Sequence, residues 1–473
     1  MNIPVMLGAL AFMAIIVGIG FWSGLNVKSS KSFFLSGGSQ GFFPIIATQA
    51  ATSIGGGCMI GWAGFGYTFG FGVAWYGIVC IIGLAILVFT VASFFQKKGF
   101  YTIPDWICHS LGEDKVLRGT AALLAMWMLV GAWAGNAVAT GTIVNQLTGL
   151  PVKTGALIGG LLVLVYCSIG GLQSVIKVDM FNFVILWLGV IILIPATLVM
   201  AGGFSNILAS NPVVNHDIWP GMQAGLGWLI AVTPGMMTMQ TAYQRFSASK
   251  DEKVARWGIY GTIISIVIIV AYASITGMAI RTINPEIAKG QMAVPWFVTN
   301  KLHPIFAILI LGGILAALFS TSDSVLNSAS ANIAKDFYAG IFNPEANDKE
   351  ILRAGRVATI VIGLVGIAIA LYIPYIMKLL IAGYGVSAGG LLFPIFLAHY
   401  WRRTTRAGAL AGMVGGFVIA FPGAFIPSVG KVLSSYFYNP ILAALVISLM
   451  LTVTVSLVTR KGETVIPSEA PAS

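Results

Sequence analysis

The sequence predicts an all-α polytopic membrane protein of about thirteen transmembrane helices built on an inverted five-plus-five repeat. Three observations predict it. Of 473 residues, 58% are hydrophobic and only 9% are charged, whereas a soluble chain is about 25% charged. Apolar runs of bilayer length recur from end to end, and two of them are interrupted at matching places. A soluble globular enzyme is excluded, and no polar stretch is long enough for a separate domain.

A bilayer core takes about 20 apolar residues per helix. On that template the spans lie near 4–24, 42–64, 73–96, 119–147, 152–170, 178–201, 222–243, 257–280, 304–333, 354–373, 376–399, 406–427 and 437–459. The first segment has no basic n-region and no small-residue cleavage site before Lys28, so it reads as a retained span. The net charge of +11 comes from 26 Lys and Arg set in short groups between apolar runs, not on one amphipathic face, so nucleic acid is not an expected partner. With the N-terminus outside, twenty of these bases fall on inward loops, among them Lys28, Arg118, Lys177, Arg245, Arg460 and Lys461, and six on outward loops. That asymmetry predicts N-out and C-in.

The first interruption is Ala50-Ala51-Thr52-Ser53-Ile54-Gly55-Gly56-Gly57 in the second span, where consecutive glycines are poor helix formers and free backbone carbonyls. The second is Thr233-Pro234-Gly235 in the seventh span, where proline removes a donor and kinks the helix. Close packing through small residues explains many glycines. A matched pair five spans apart is instead what two repeats starting at the second and seventh spans would give, with unwound backbone at the midplane available to ions and solute.

Thirteen of the fifteen carboxylates, Asp105, Glu113 and Asp336 among them, fall in loops or the tail. Asp179, at the inner start of the sixth span, and Asp323, well inside the ninth, remain at membrane depth or its edge, where carboxylates are costly unless paired or hydrated. The structural alternative for Asp179 is a pair with Lys177. In the ninth span Ala317, Ser320, Thr321 and Ser324 follow the i, i+3, i+4, i+7 pattern, so one stripe offers hard oxygen ligands to a small cation. Hydroxyls in such helices also bond back to their own i−4 carbonyls. Cys58, Cys80, Cys108 and Cys167 have no CxxC spacing and read as free thiols. His109, His216, His303 and His399 lie near loops and form no catalytic or metal set, so the chain is not expected to be an enzyme.

These strings resemble the sodium:solute symporter family, which shares the five-plus-five fold of the bacterial leucine transporter. The resemblance covers nearly the whole chain. It rests on the glycine-broken helix, on GGLQSVIKVD, on Gln244 to Lys253, on AALFSTSDS followed by AKDFY, and on FPIFLAHYWRRTTRAGALAGMVGG. It implies a single membrane transporter domain over 1–473: an extra helix at 4–24, a first repeat at 42–201, an inverted second repeat at 222–399, two extra helices at 406–459 and a cytoplasmic tail at 460–473. It also implies Na+ as coupling ion. The family's main sodium site maps onto the carbonyls of Ala51, Ile54 and Ala317 and the hydroxyls of Ser320 and Thr321. The second cation site of some members maps onto Asp179 and Ser324, with Asp323 as an extra ligand or proton site.

Within the family the chain looks nearest to the choline transporter branch, through ATxxGGG and the strings at Lys98–Thr102 and Asn347–Ile351. It departs from that branch where the substrate is chosen. Ser53 and Met239 stand where the branch has tryptophans, so most of an aromatic cage for a quaternary ammonium is missing. From position alone, Ser53, Trp133, Asn136, Gln240 and Tyr243 are the residues expected to line a solute cavity between the interrupted helices. The expectation is a sodium-coupled symporter of a small organic solute, embedded in the lipid bilayer of a cell membrane, the bacterial inner membrane. Two alternatives stay open: a proton-coupled carrier using Asp179 and Asp323, and a transport-like sensor module.

Overall fold

A computed structural model of the chain describes residues 29–212 and 216–459 and, before them, positions 4, 7, 8, 11, 12, 14, 15, 18, 19, 22 and 27. Lys28, Arg460, Lys461, the tail at 460–473 and the side chain of Cys58 lie outside the described residues. The described positions before residue 23 are helical. After them come α1 (Ser30–Leu35), α2 (Phe42–Phe69), α3 (Ala74–Thr90), α4 (Ala92–Lys98), α5 (Ile103–Leu111), α6 (Lys115–Thr148), α7 (Val152–Met200), α8 (Phe204–Ser210) and α9 (Met222–Met237). The second half contains α10 (Gln240–Ala248), α11 (Glu252–Ile283), α12 (Ala293–Lys301), α13 (Pro304–Ala331), α14 (Asp348–Tyr372), α15 (Ile376–Tyr400), α16 (Arg406–Phe425), α17 (Pro427–Phe437) and α18 (Pro440–Thr459). A wide π-type segment, Asn332–Phe342, prolongs α13.

The protein is all-helical among the described residues, apart from an isolated bridge between Gln40 and Ser249. Nine segments there are long and apolar enough to cross a membrane, and shorter apolar helices at Phe42–Gly55 and Val152–Val165 complete the halves that precede two kinks. Bilayer-facing stripes have helical spacing: Val357, Ile360, Val361, Leu364 and Val365 of α14 are all exposed. Helices that start at a basic loop carry side-chain caps. Asp114 accepts the Leu117 N–H at 2.8 Å, Asp251 that of Val254 at 2.8 Å, Asn347 that of Glu350 at 3.1 Å and Thr405 that of Gly408 at 3.1 Å.

Several sequence expectations need correction. The seventh span is not broken at Thr233-Pro234-Gly235, because α9 runs through Pro234 to Met237. A proline perturbs the turn before it and leaves the following carbonyls usable: the Thr238 N–H still reaches the Pro234 and Gly235 carbonyls at 3.1 Å. The chain leaves the helix at Thr238 and Met239, where Met239 is extended (ψ 96°), and restarts as α10. No polar loop separates the fifth and sixth spans. They meet at Gly171 (φ 61°, ψ 179°), whose backbone packs on Phe33. The short helices α5, α12 and α17, which lie in the connections, are too short to give a span signal.

The GALAGMVGG string forms a tight seam between α16 and α18. Gly408, Gly412 and Gly416 face Ser456, Thr452 and Ser448, each set spaced four residues apart. A Cβ on Gly412 would stand 2.8 Å from the Ser448 carbonyl oxygen and collide with Thr452 Oγ1. Gly412→Val should therefore lower stability by about 1–3 kcal/mol, seen as a lower melting temperature in detergent. Val418→Ala, at an exposed position on the same helix, should leave it nearly unchanged.

Candidate functional site

The second span is a helix interrupted at Gly55, whose φ of 36° and ψ of 164° lie outside the helical range. The last four carbonyls before a helix end have no helical partner, and Ala51 and Ile54 belong to that turn. Both are 1% exposed. The break lies directly against α13: a Cβ on Gly55 would be 2.5 Å from Thr321 Oγ1 and 3.2 Å from Thr321 Cβ. Glycine is thus required twice here, by the positive φ and by the approach of Thr321.

Thr321 Oγ1 lies 3.2 Å from the Ala51 carbonyl and 2.9 Å from the Ala317 carbonyl. One hydroxyl therefore gathers carbonyls from both helices, with Ser320 adjacent on the same stripe. The back-bonding expected of membrane hydroxyls holds for Thr321, to Ala317, and for Ser322, whose Oγ donates to the Leu318 carbonyl at 2.5 Å. It fails for Ser320 and Ser324, which turn outward to other helices.

Ser320 Oγ donates to Asp179, and Thr48 Oγ1 donates to the other oxygen of the same carboxylate. Asp179 is fully buried and Lys177 is exposed, so the interfacial Lys177 pair is not made. Two residues apart on a helix, the two side chains point in different directions. The cation that shares the polar network with Asp179 is Arg245. Assigned by sequence to an inward loop, it lies on α10 and is 1% exposed. Its Nη2 donates to Ser324 Oγ at 2.6 Å, Thr52 Oγ1 at 3.0 Å and Thr48 Oγ1 at 3.4 Å, and its Nη1 to the Thr241 carbonyl at 3.2 Å. Thr52 and Ser324 are themselves 3.0 Å apart. Asp323 is also fully buried.

The structure scatters the solute candidates. Trp133 closes onto α14: its indole N–H donates to the Gly363 carbonyl at 2.8 Å and its ring covers Gly366. Asn136 Nδ2 donates to Ser322 Oγ at 3.3 Å, and Ser53, on the broken helix, is 5% exposed. Gln240 and Tyr243 follow the second interruption, as expected, but their polar atoms are engaged. Gln240 Nε2 donates to the Ser328 carbonyl at 2.8 Å and to Asn332 Oδ1 at 2.6 Å. Tyr243 donates to the Met237 carbonyl and packs among Phe95, Trp106 and Phe246.

Sequence reasoning missed a second polar cluster. Arg118, assigned to a loop, is 8% exposed and pairs with Asp336 at 2.7 Å, Asp105 at 2.9 Å and Glu113 at 2.9 Å. Asp336, also assigned to a loop, is fully buried at the π-type segment and accepts from Thr102 at 3.1 Å and from Asn332 at 3.3 Å. Through Asn332 this cluster joins Gln240, and the Ile103 N–H donates to Gln240 at 3.3 Å, so α5, α6, α10 and α13 are tied together. The AKDFY string gave the signal for Asp336, and the i, i+4 spacing of Thr48 and Thr52 the signal for those hydroxyls.

Among the described residues no group of His, Cys, Asp and Glu could hold a metal ion as a cluster. Cys80, Cys108 and Cys167 are buried and not in disulfides. Burial pushes the Cys108 thiol up to about 12, so it is no ready thiolate ligand.

The geometry is that of a helical membrane protein with an interrupted helix docked on a hydroxyl stripe. Among solved structures, a Na+-coupled sialic acid symporter in a substrate-bound outward-open state superposes with a TM-score of 0.79 at 18% identity, covering 98% of each chain. A nucleobase-cation-symport-1 family transporter in a closed conformation superposes with a TM-score of 0.55 at 16% identity, covering 90% of this chain and 95% of that one. By sequence the chain is 24% identical to the sodium/pantothenate symporter of Escherichia coli K12, over 89% of this chain and 90% of that protein. It is 27% identical to the sodium/proline symporter of Staphylococcus aureus, over 95% and 92%. The family model described as "Sodium:solute symporter family" matches residues 33–416. The chain belongs to the sodium:solute symporter family and is a membrane transporter, not an enzyme.

Proposed function

We propose that this protein imports a small organic solute together with sodium by alternating access. The observation that carries the reading is the contact of Thr321 with the Ala51 carbonyl beside the Gly55 break. Sodium is held by the carbonyls of Ala51, Ile54 and Ala317 and the hydroxyls of Ser320 and Thr321. Those groups belong to α2 and α13, so the ion bridges the two helices, and its loss lets them separate. Thirteen spans, N-out and C-in, with repeats over 42–201 and 222–399, place the interruptions at equivalent depth from opposite sides.

The α10 helix is buried along its whole length, packed mainly on α4, α2 and α11. It is the half-helix that must withdraw for the solute to leave inward. Proton coupling is not favoured. The curated relatives are sodium symporters by name.

The solute site lies between the interruptions, near Ser53 and Gln240, with Trp133, Asn136 and Tyr243 supporting its walls. Ser53 and Met239 supply no aromatic faces for a quaternary ammonium. Proline and pantothenate, named for the relatives, are both carboxylates, and the N-terminal end of α10 at the second interruption offers backbone N–H groups to such a group. A thermal-shift screen of carboxylates, amino acids, sugars and quaternary amines, with and without sodium, should give the largest sodium-dependent shift with a carboxylate.

Sodium alone should raise the melting temperature of the purified protein, since a ligand at 100 times its Kd stabilises by about 2.7 kcal/mol. Potassium should not. The Ser320→Ala/Thr321→Ala double variant should fold and lose the sodium shift; a full shift in that variant would remove these residues from the site. Gly55→Ala should reduce sodium-dependent uptake into proteoliposomes at least ~10-fold, because each ~1.4 kcal/mol is a factor of ten and both its φ and its contact with Thr321 are lost.

A further inference from the structure

The second cation position implied by the family pattern, Asp179 with Ser324, is already in contact with a positive group of the chain itself. We propose that Arg245 is a tethered cation that fills this position, so that the carrier binds a single sodium per chain. The inference rests on the sodium site proposed above and adds to it the number of ions.

Three observations carry it. The shortest polar contact of the Arg245 guanidinium, 2.6 Å, is to Ser324 Oγ, the hydroxyl a second ion would need. The same Nη2 reaches Thr52 and Thr48, and Thr48 donates in turn to Asp179, so guanidinium and carboxylate share one hydroxyl. Arg245 Nε is buried with no hydrogen-bond partner, which is an expensive way to place an arginine unless its charge is required there.

Arginine suits the role because it stays protonated at any physiological pH and its planar fork spans several hydroxyls at once. It also rides on α10, immediately after the extended Met239. Withdrawal of α10 would carry the tethered charge out of the network, leaving Asp179 and Asp323 to draw sodium off its main site toward the inner side. A free second ion would have to be supplied and released in every cycle, whereas a tethered one returns with the helix.

The test uses sodium alone, as radioactive sodium binding to the purified full-length protein counted by scintillation proximity. The native chain should bind a single sodium with a non-cooperative isotherm, unaffected in number by Ser324→Ala and abolished by Ser320→Ala/Thr321→Ala. Arg245→Gln should gain a second sodium, lost again in Arg245→Gln/Asp179→Asn, while Arg245→Lys should remain at one. Two sodium ions on the native chain, with one lost in Ser324→Ala, would overturn the placement of Arg245 while leaving the main site intact. No sodium on the native chain would overturn the main site as well. The native stoichiometry decides the matter even if Arg245→Gln fails to fold.

Discussion

The structure depends most on the close approach of the Gly55 break to Thr321. Helices cross a bilayer because they satisfy their own backbone polar groups, and an interruption at depth is stable only where protein or ions take over those groups. Here the broken turn of α2 is set against a hydroxyl-rich face of α13 with no side chain between them, since any Cβ at Gly55 would meet Thr321. The carbonyls released by the break and the hydroxyls of the stripe therefore converge. A bare cluster of oxygen acceptors is unfavourable, and a small cation is the natural counterpart. On the proposed site, coupling follows from this geometry, because the groups that would bind the ion belong to two different helices.

The remaining polar groups read as two layers on either side of α10. One joins Asp179, Thr48, Thr52, Ser324 and Arg245 next to the ion site. The other joins Arg118, Asp105, Asp336, Asn332 and Gln240. Buried charges of this kind contribute little net stability, because the loss of hydration offsets the attraction. Their value lies in specifying where α10 sits. Apolar seams, such as the glycine face of α16 against α18, bring helices into close packing.

Much of the fold was legible in the sequence because bilayer length and hydropathy are strong constraints: the described residues hold nine segments long and apolar enough to cross a bilayer, and Gly55 interrupts the second apolar run. Topological charge counting was a weaker guide to individual residues. Arg118, Arg245 and Asp336 were assigned to loops because they sit in polar stretches, yet each is buried by partners far away in sequence. The break near Pro234 was misplaced by a few residues because proline marks the perturbed turn and not the point where the chain leaves the helix. The solute residues were the least legible. Trp133 turns to a glycine face on α14, a contact with no local signature, and Gln240 is spent on Ser328 and Asn332.

The central claim is that one sodium ion joins the broken second span to the hydroxyl stripe. The most direct test is a high-resolution map of the protein in sodium compared with one in potassium. The account predicts a sodium-dependent peak enclosed by the carbonyls of Ala51, Ile54 and Ala317 and the hydroxyls of Ser320 and Thr321. Identical maps in the two salts, or a sodium peak away from the Gly55 break, would contradict it.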